Sequence, residues 1–523
     1  MESKKLSFNT KMIFRDVIRN WPIWAVTIAI YLLSITGLFG LYRYFDSTND
    51  QVAADIIELM MTVTEFASII LGFVVALAAF GYLGNKRKHY LYEVLPMNRM
   101  SMFFTRFLLG VIIMSIPSVI IYLVELIQVA AVSGYFLIGP LSTWLLINTV
   151  QNLFWFAFGT LFMVISGRKL MAGILYVAFS LVGLAVEYTM AIFNSIMFIG
   201  YGGSVSDTEI FHIGILSPAE YMIVSGMGTN RDGYVGLDGY FGVTNLIIVL
   251  AAAVVLIILG FILYKKRRAE RTDDNLVFKG AKTVCAVIFT LIFSIEGLLV
   301  LLGLFLNRSE GISHSAGVRM CVIVLIILLS IAGYFIACMI IERRLKVVTK
   351  KSLIKALILS GILTLFAILY INDVFGIEKK VPKTDELAAA RVTGPQITTR
   401  EINDFYNEGI NLTEEELNAI TGLHKLIVDN MDELAEMYDS RYEDYYPEGY
   451  NSYSSYDGFE PKVRQVIYAR IYIHYYLKNG KHYYKNYYIS LDSHLYEKIK
   501  EYVAKYPNIF FEARQEDIIY YYD

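Results

Sequence analysis

The sequence predicts an α-helical polytopic membrane protein of about nine spans, amino end inside and carboxyl end outside, followed by an extracytoplasmic α+β domain. Three observations predict it. Of 523 residues, 56% are hydrophobic and only 18% are charged, far from the balance of a soluble domain. Apolar runs of about 20 residues, enough to cross a bilayer core as a helix, recur as far as residue 371. From about residue 377 the composition turns polar, with acidic residues and prolines first and crowded tyrosines toward the end.

Charge and cysteine content exclude other classes. A formal net charge of -2, with basic residues in short scattered clusters, does not suit a nucleic-acid partner. Cys285, Cys321 and Cys338 all lie in apolar runs, where a thiol behaves as a small hydrophobe, and form neither a disulfide framework nor a zinc pattern. The amino end has a long basic stretch, a full-length apolar run and no small-residue cleavage site, so the first span is expected to persist.

Residues 1–20 form the first element. Ile13, Phe14, Val17, Ile18 and Trp21 share one helical face and Lys11, Arg15 and Arg19 oppose it, the pattern of an interfacial elbow helix. Spans are expected near 21–42, 60–83, 104–132, 142–166, 170–198, 241–264, 284–306, 317–341 and 353–371. Lys and Arg cluster before the first span and after the second, fourth, sixth and eighth, while the alternate loops are acidic or nearly uncharged. Because excess positive charge stays inside, this alternation sets the orientation.

The inner loop between the second and third spans contains HYLYEVLPMNR. Tyr90, Leu91, Val94 and Leu95 fall on one face of a short helix, with Arg87, Lys88 and Glu93 off that face. Pro96 disfavours helix through Leu95, and a new helix is expected from near Ser101. Charged flanks around an exposed apolar face suit docking, on lipid headgroups or in a protein groove. Four carboxylates, Glu65, Glu125, Glu187 and Glu296, fall inside spans, where an ionisable group faces a bundle interior or a cavity. They stand either as packed groups or as an outward acidic path for a cationic or amphipathic substrate.

Residues 279–376 supply three further spans, and residues 377–523 the outer domain. There, Thr413 to Glu416 reads as a capping box stapled by Leu412 and Leu417, with Ile420, Ile427, Met431 and Leu434 continuing at helical spacing. The segment from Tyr438 to Gly458 reads as a loop. Two tyrosine-rich strands flank Asn479-Gly480, a hairpin turn, and a helix is expected from about Ser493 to Tyr506. The tyrosines suit the packing of a small sheet or an aromatic binding surface.

Enzyme signatures do not appear. No G-x-x-x-x-G-K-[ST] phosphate cradle occurs, the nearest fragment being Gly280 to Thr283, so an ATP-driven transporter would need a separate ATPase chain. Metalloprotease and nucleophile-elbow motifs are missing, and His89, His212, His474, His482 and His494 read as packed or solvated.

The order of basic loop, short helix, Leu95-Pro96-Met97-Asn98-Arg99 and third span resembles the permease subunits of bacterial type 2 ABC exporters. The basic tail Tyr264 to Phe278 and the outer loop from about Tyr201 to Tyr240, with Leu216, Ser217 and Pro218, are similar to features of the same family. The resemblance covers about residues 11–278, so that residues 21–278 would form the six-span permease core. It implies that residues 86–99 form a coupling helix whose Arg87, Tyr90, Leu91, Val94, Leu95, Pro96 and Arg99 meet an ATPase. It implies further that the chain is no enzyme, binds no cofactor itself, pairs with a second permease chain, and resides in a bacterial plasma membrane. The carboxyl domain is similar to extracellular domains that some Gram-positive permeases carry. A reading from another class is a membrane-anchored sensor whose outer domain recognises a ligand.

Overall fold

A computed structural model describes residues 10–42, 49–94, 97–133, 136, 138–201, 217–219, 221–222, 242–272, 274–305, 316–394, 397–398, 412–445, 468–478, 482–510 and 518–519. The helices are α1 (Thr10–Arg19), α2 (Trp21–Tyr42), α3 (Asn49–Phe80), α4 (Lys86–Glu93), α5 (Arg99–Ser133), α6 (Ile138–Ile165), α7 (Lys169–Met197), α8 (Val243–Lys266), α9 (Lys279–Phe305), α10 (Ala316–Glu342) and α11 (Lys350–Ile371). After them come strands β1 (Leu387–Gly394) and β2 (Ile397–Thr398), helices α12 (Glu414–Asp429) and α13 (Met431–Tyr445), strands β3 (Tyr468–Leu477) and β4 (His482–Ser490), helix α14 (His494–Ala504) and strand β5 (Ile518–Ile519).

Among the described residues, eight helices are long and apolar enough to cross a membrane, starting with Leu59–Gly84 and ending with Lys350–Ile371. A polytopic helical architecture of this kind fits insertion in a bilayer. α2, expected as the first span, is helical over its whole expected length, with side chains described to Leu33. The elements fall into two compact units. The first comprises Met1–Leu184, Ile213–Ile288 and Ala337–Val347, and the second Ala185–His212, Phe289–Ile336 and Val348–Asp523.

In the first unit α6 is the central helix, packing against α3, α5 and α8. Its Trp144, Trp155 and Phe156 are fully enclosed. Close approach requires glycine on both sides. A Cβ on Gly72 would lie 2.5 Å from the Trp155 Cβ, and one on Gly159 would lie 3.1 Å from the Gly72 carbonyl oxygen. Small residues at such crossings let backbones touch, which drives helix association where lipid offers no hydrophobic contrast. Pro117 sits inside α5 without ending it, beside the buried Ser118. α5 begins at Arg99, two residues before the expected start.

The second unit carries a sheet in the order β2-β1-β3-β4, with β5 continuing the β1 side at the start of β3. β3 and β4 pair antiparallel from Tyr468 opposite Ser490 to Tyr476 opposite His482. The Asn479-Gly480 turn that would join them lies outside the described residues. Alternation sends Ala469, Ile471, Ile473 and Tyr475 into a core shared with Leu417, Ile420, Ile427, Met431 and Leu434. The Thr413 capping box is present, Glu416 accepting from the Thr413 amide at 2.7 Å. Two features differ from expectation. The helix expected to run on through Leu434 breaks at Asn430, whose side chain bonds the Leu426 carbonyl, and its continuation α13 extends to Tyr445, into the segment read as loop. β1 is a strand that hydrophobic alternation did not reveal, because a bulge between Leu387 and Ala389 disturbs its period.

Gly72→Ala is expected to overpack the α3–α6 crossing by about 1–3 kcal/mol. Thermal unfolding in detergent checks it, with Gly139→Ala, whose Cβ would meet nothing within 4 Å, expected to unfold like wild type.

Candidate functional site

The short helix α4 opens on Asn85, whose side chain accepts from the Lys88 amide at 3.2 Å. This N-cap satisfies one of the donors a helix start leaves unpaired. The helix closes at Val94, which donates to the Tyr90 carbonyl. Its inner side is pinned by His89, buried, with Nδ1 2.9 Å from the Thr272 hydroxyl and the ring edge-on to Tyr82. Burial, then the positive fields of Arg267 and Arg99, push His89 down to about 4, so the imidazole is neutral at ordinary pH.

Two arginines hold the helix ends on which α4 rests. Arg99 donates to the carbonyls of Lys265 at 3.1 Å and Arg267 at 2.9 Å, and its other nitrogen reaches Glu93 at 2.9 Å. It thus joins the last turn of α8 to the end of α4. Arg267, 2% exposed, donates to Ser166 at 2.8 Å, to Met163 at 3.2 Å and to Val164, and through its second nitrogen to Leu83 at 2.8 Å. Unpaired carbonyls at a helix C-terminus carry partial negative charge, so a cation there is doubly favoured. Burial lowers Arg267 to about 10, still charged at neutral pH. The chain after α8 then pairs with the chain after α6: Val277 donates to Ile165 at 3.0 Å and Gly167 to Asn275 at 3.2 Å. A Cβ on Gly167 would stand 2.0 Å from the Asp274 oxygen.

A third arginine ties in α1. Arg106 of α5 and Asp16 of α1, both buried, pair at 2.7 Å, and the guanidinium lies 4.7 Å from the Tyr92 ring centre and 5.7 Å from that of Tyr82. The Tyr82 and Tyr264 hydroxyls meet at 2.8 Å, linking the segment after α3 to α8. α4 is therefore seated by specific polar contacts on the ends of several long helices.

The opposite side of α4 is open. Tyr90, Leu91 and Val94 are 45%, 69% and 84% exposed, and Lys86, Arg87 and Lys88 are exposed beside them. Leu95 and Pro96 lie outside the described residues. Of the other expected site residues, Arg99 acts as a clamp rather than as part of the apolar face.

The four membrane carboxylates divide two and two. Glu65 and Glu125 belong to the first unit, where both are buried, and among the described residues neither carboxylate oxygen of Glu125 has a hydrogen-bond partner. Glu187 and Glu296 belong to the second, where Glu296 accepts from Thr189 at 3.0 Å. One turn of α3 from Glu65 runs a polar ladder that hydropathy hid: Ser68 meets Asn148, which donates to Ser118 at 3.1 Å and accepts from Asn152 at 2.8 Å, and Trp144 donates to Thr64 at 3.2 Å.

In the second unit a latch joins the carboxyl-terminal domain to the chain after α7. Lys485 of β4 is fully buried and donates to the carbonyls of Ile377 at 3.1 Å and Glu378 at 2.9 Å. Glu378 accepts from the Ile199 amide at 2.8 Å, and Asn486 donates to the Gly200 carbonyl at 3.0 Å. Gly200 has φ +74, and a Cβ there would lie 2.2 Å from the Tyr487 ring. The buried His424 bridges the hydroxyls of Tyr475 and Tyr487, each at 2.9 Å, and burial holds its imidazole neutral. Among the described residues no three His, Cys, Asp or Glu side chains come together to hold a metal.

Comparison with known proteins finds no family model that matches the chain, no similar curated protein and no similar solved structure.

Asp16→Asn would leave the buried Arg106 without its counter-charge, a loss of about 3–5 kcal/mol that thermal unfolding would register. Lys485 gives a pH test. Burial lowers it to about 8 from 10.5. Between those values the unfolded chain binds more protons, so this group's penalty is complete below pH 8 and fades as pH rises toward 10.5. The unfolding midpoint of wild type relative to Lys485→Met should therefore climb between pH 8 and 10; a flat difference contradicts it.

Proposed function

We propose that the chain is the permease subunit of an ABC-type exporter, non-enzymatic by itself, working with a separate ATPase and a second permease chain in a bacterial plasma membrane. The observation that carries the reading is α4. A helix of eight residues, basic and capped, offers Tyr90, Leu91 and Val94 to solvent while its other side is fixed to the ends of long apolar helices. An exposed apolar face on an anchored helix is what a protein groove recognises.

In this reading the basic segments at α1, at α4 and after α6, α8 and α10 lie inside, and the carboxyl domain lies outside. ATPase closure would push on α4. Through Arg99 and Glu93 the push reaches α5 and α8, and through Arg267 it reaches α6, the central helix. The buried ladder from Thr64 to Asn152, with Glu65 and Glu125, supports a polar route within the first unit, and Glu187 with Glu296 a second polar site in the other.

One observation favours a sensory contribution as well. Lys485, Glu378 and Ile199 lock the outer domain to the chain that leaves α7, so a ligand held by that domain would bear directly on this helix.

Isolation of the intact protein from its native membrane tests the main reading. A nucleotide-binding chain is expected to co-purify, and Leu91→Asp or Val94→Asp to reduce its recovery about tenfold or more without lowering the unfolding midpoint. Unchanged recovery in both variants contradicts the reading.

A further inference from the structure

Behind α4 lies a cavity of about 270 Å³, lined by Tyr82, Glu93, Met97, Arg99, Tyr264 and Arg267 among others. Tyr90, Leu91 and Val94 do not line it, so its occupant and a partner on the outer face of α4 would not compete. Its charge is one-sided: the guanidiniums of Arg99 and Arg267 face a single carboxylate, Glu93, already 2.9 Å from Arg99. His89, also in the wall, is held neutral by its burial first and then by the fields of the same two guanidiniums. The volume falls just below that of sites enclosing a drug-sized ligand, and suits a headgroup. The walls come from the ends of α3, α5 and α8, three helices long enough to cross a membrane. Arginine and tyrosine gather at such span ends, and basic pockets between spans take anionic headgroups.

We propose that this cavity binds a phosphate-ester anion, held by Arg99 and Arg267 with the Tyr82 and Tyr264 hydroxyls, and that its source is the headgroup of an anionic phospholipid. A bound headgroup would fill the space between α4 and the helix ends and fix the height of the exposed face of α4. The assignment does not depend on the exporter reading.

The test is native mass spectrometry of the full-length protein, delipidated in detergent and titrated with phosphatidylglycerol, with phosphatidylcholine, or with inorganic phosphate. Wild type should retain phosphatidylglycerol about fivefold or more over phosphatidylcholine, and Arg99→Gln should lose about that factor. Since Arg99 also caps α8, Met97→Trp serves as a second variant that fills the cavity and leaves every charge in place; it too should lose the preference. Equal retention of the two lipids, or a preference that survives Met97→Trp, overturns the lipid source. If inorganic phosphate then raises the unfolding midpoint of wild type but not of Met97→Trp, the site belongs to a soluble phosphate ester; if it raises neither, the anion site itself is rejected.

Discussion

Everything at the α4 end of the first unit depends on one buried guanidinium. Arg267 closes the carbonyls that α6 leaves open and reaches Leu83 after α3, so three helix ends meet at one side chain. The guanidinium spreads its donors over a planar fork and so reaches four carbonyls on two sides, whereas the three donors of a lysine all sit on one nitrogen. Without it the carbonyls of Met163, Val164 and Ser166 at the end of α6, and that of Leu83, would lose this donor. Rigidity at this point gives α4 its meaning. An exposed apolar helix on a loose loop would be a liability, whereas the same helix fixed to packed spans can transmit a displacement.

The two units answer the demand for buried polar groups in different ways. In the first, α3 and α6 touch through glycine, and Ser68, Asn148 and Asn152 of these helices bond to one another and to Ser118 of α5. In the second, the domain at the carboxyl end is joined to its helices by a lysine that donates to carbonyls and a glutamate that accepts from an amide. Such contacts have direction and so specify one arrangement, where apolar packing alone would permit sliding.

Hydropathy, the capping box at Thr413 and the strands around Asn479-Gly480 were legible in the sequence because each is a local pattern with a local cause. The exposed face of α4 was legible for the same reason: Tyr90, Leu91 and Val94 follow helical spacing and sit opposite His89. What stayed hidden is non-local. Nothing in the spacing of Arg267, a basic residue in a run of four, distinguishes it from Lys265, Lys266 and Arg268, yet it alone turns inward. Asp16 and Arg106 are separated by 90 residues, as are many pairs that never meet. β1 was missed because a bulge breaks its alternation.

The central claim is that α4 presents a protein-docking face on a fixed seat. The most direct measurement places a photo-crosslinking amino acid at Leu91 in the intact chain, expressed in its native membrane. The account predicts an adduct with an ATP-binding protein, one that persists when lipid composition is changed. Adducts with lipid alone would contradict it, leaving α4 as a helix that lies on the bilayer surface.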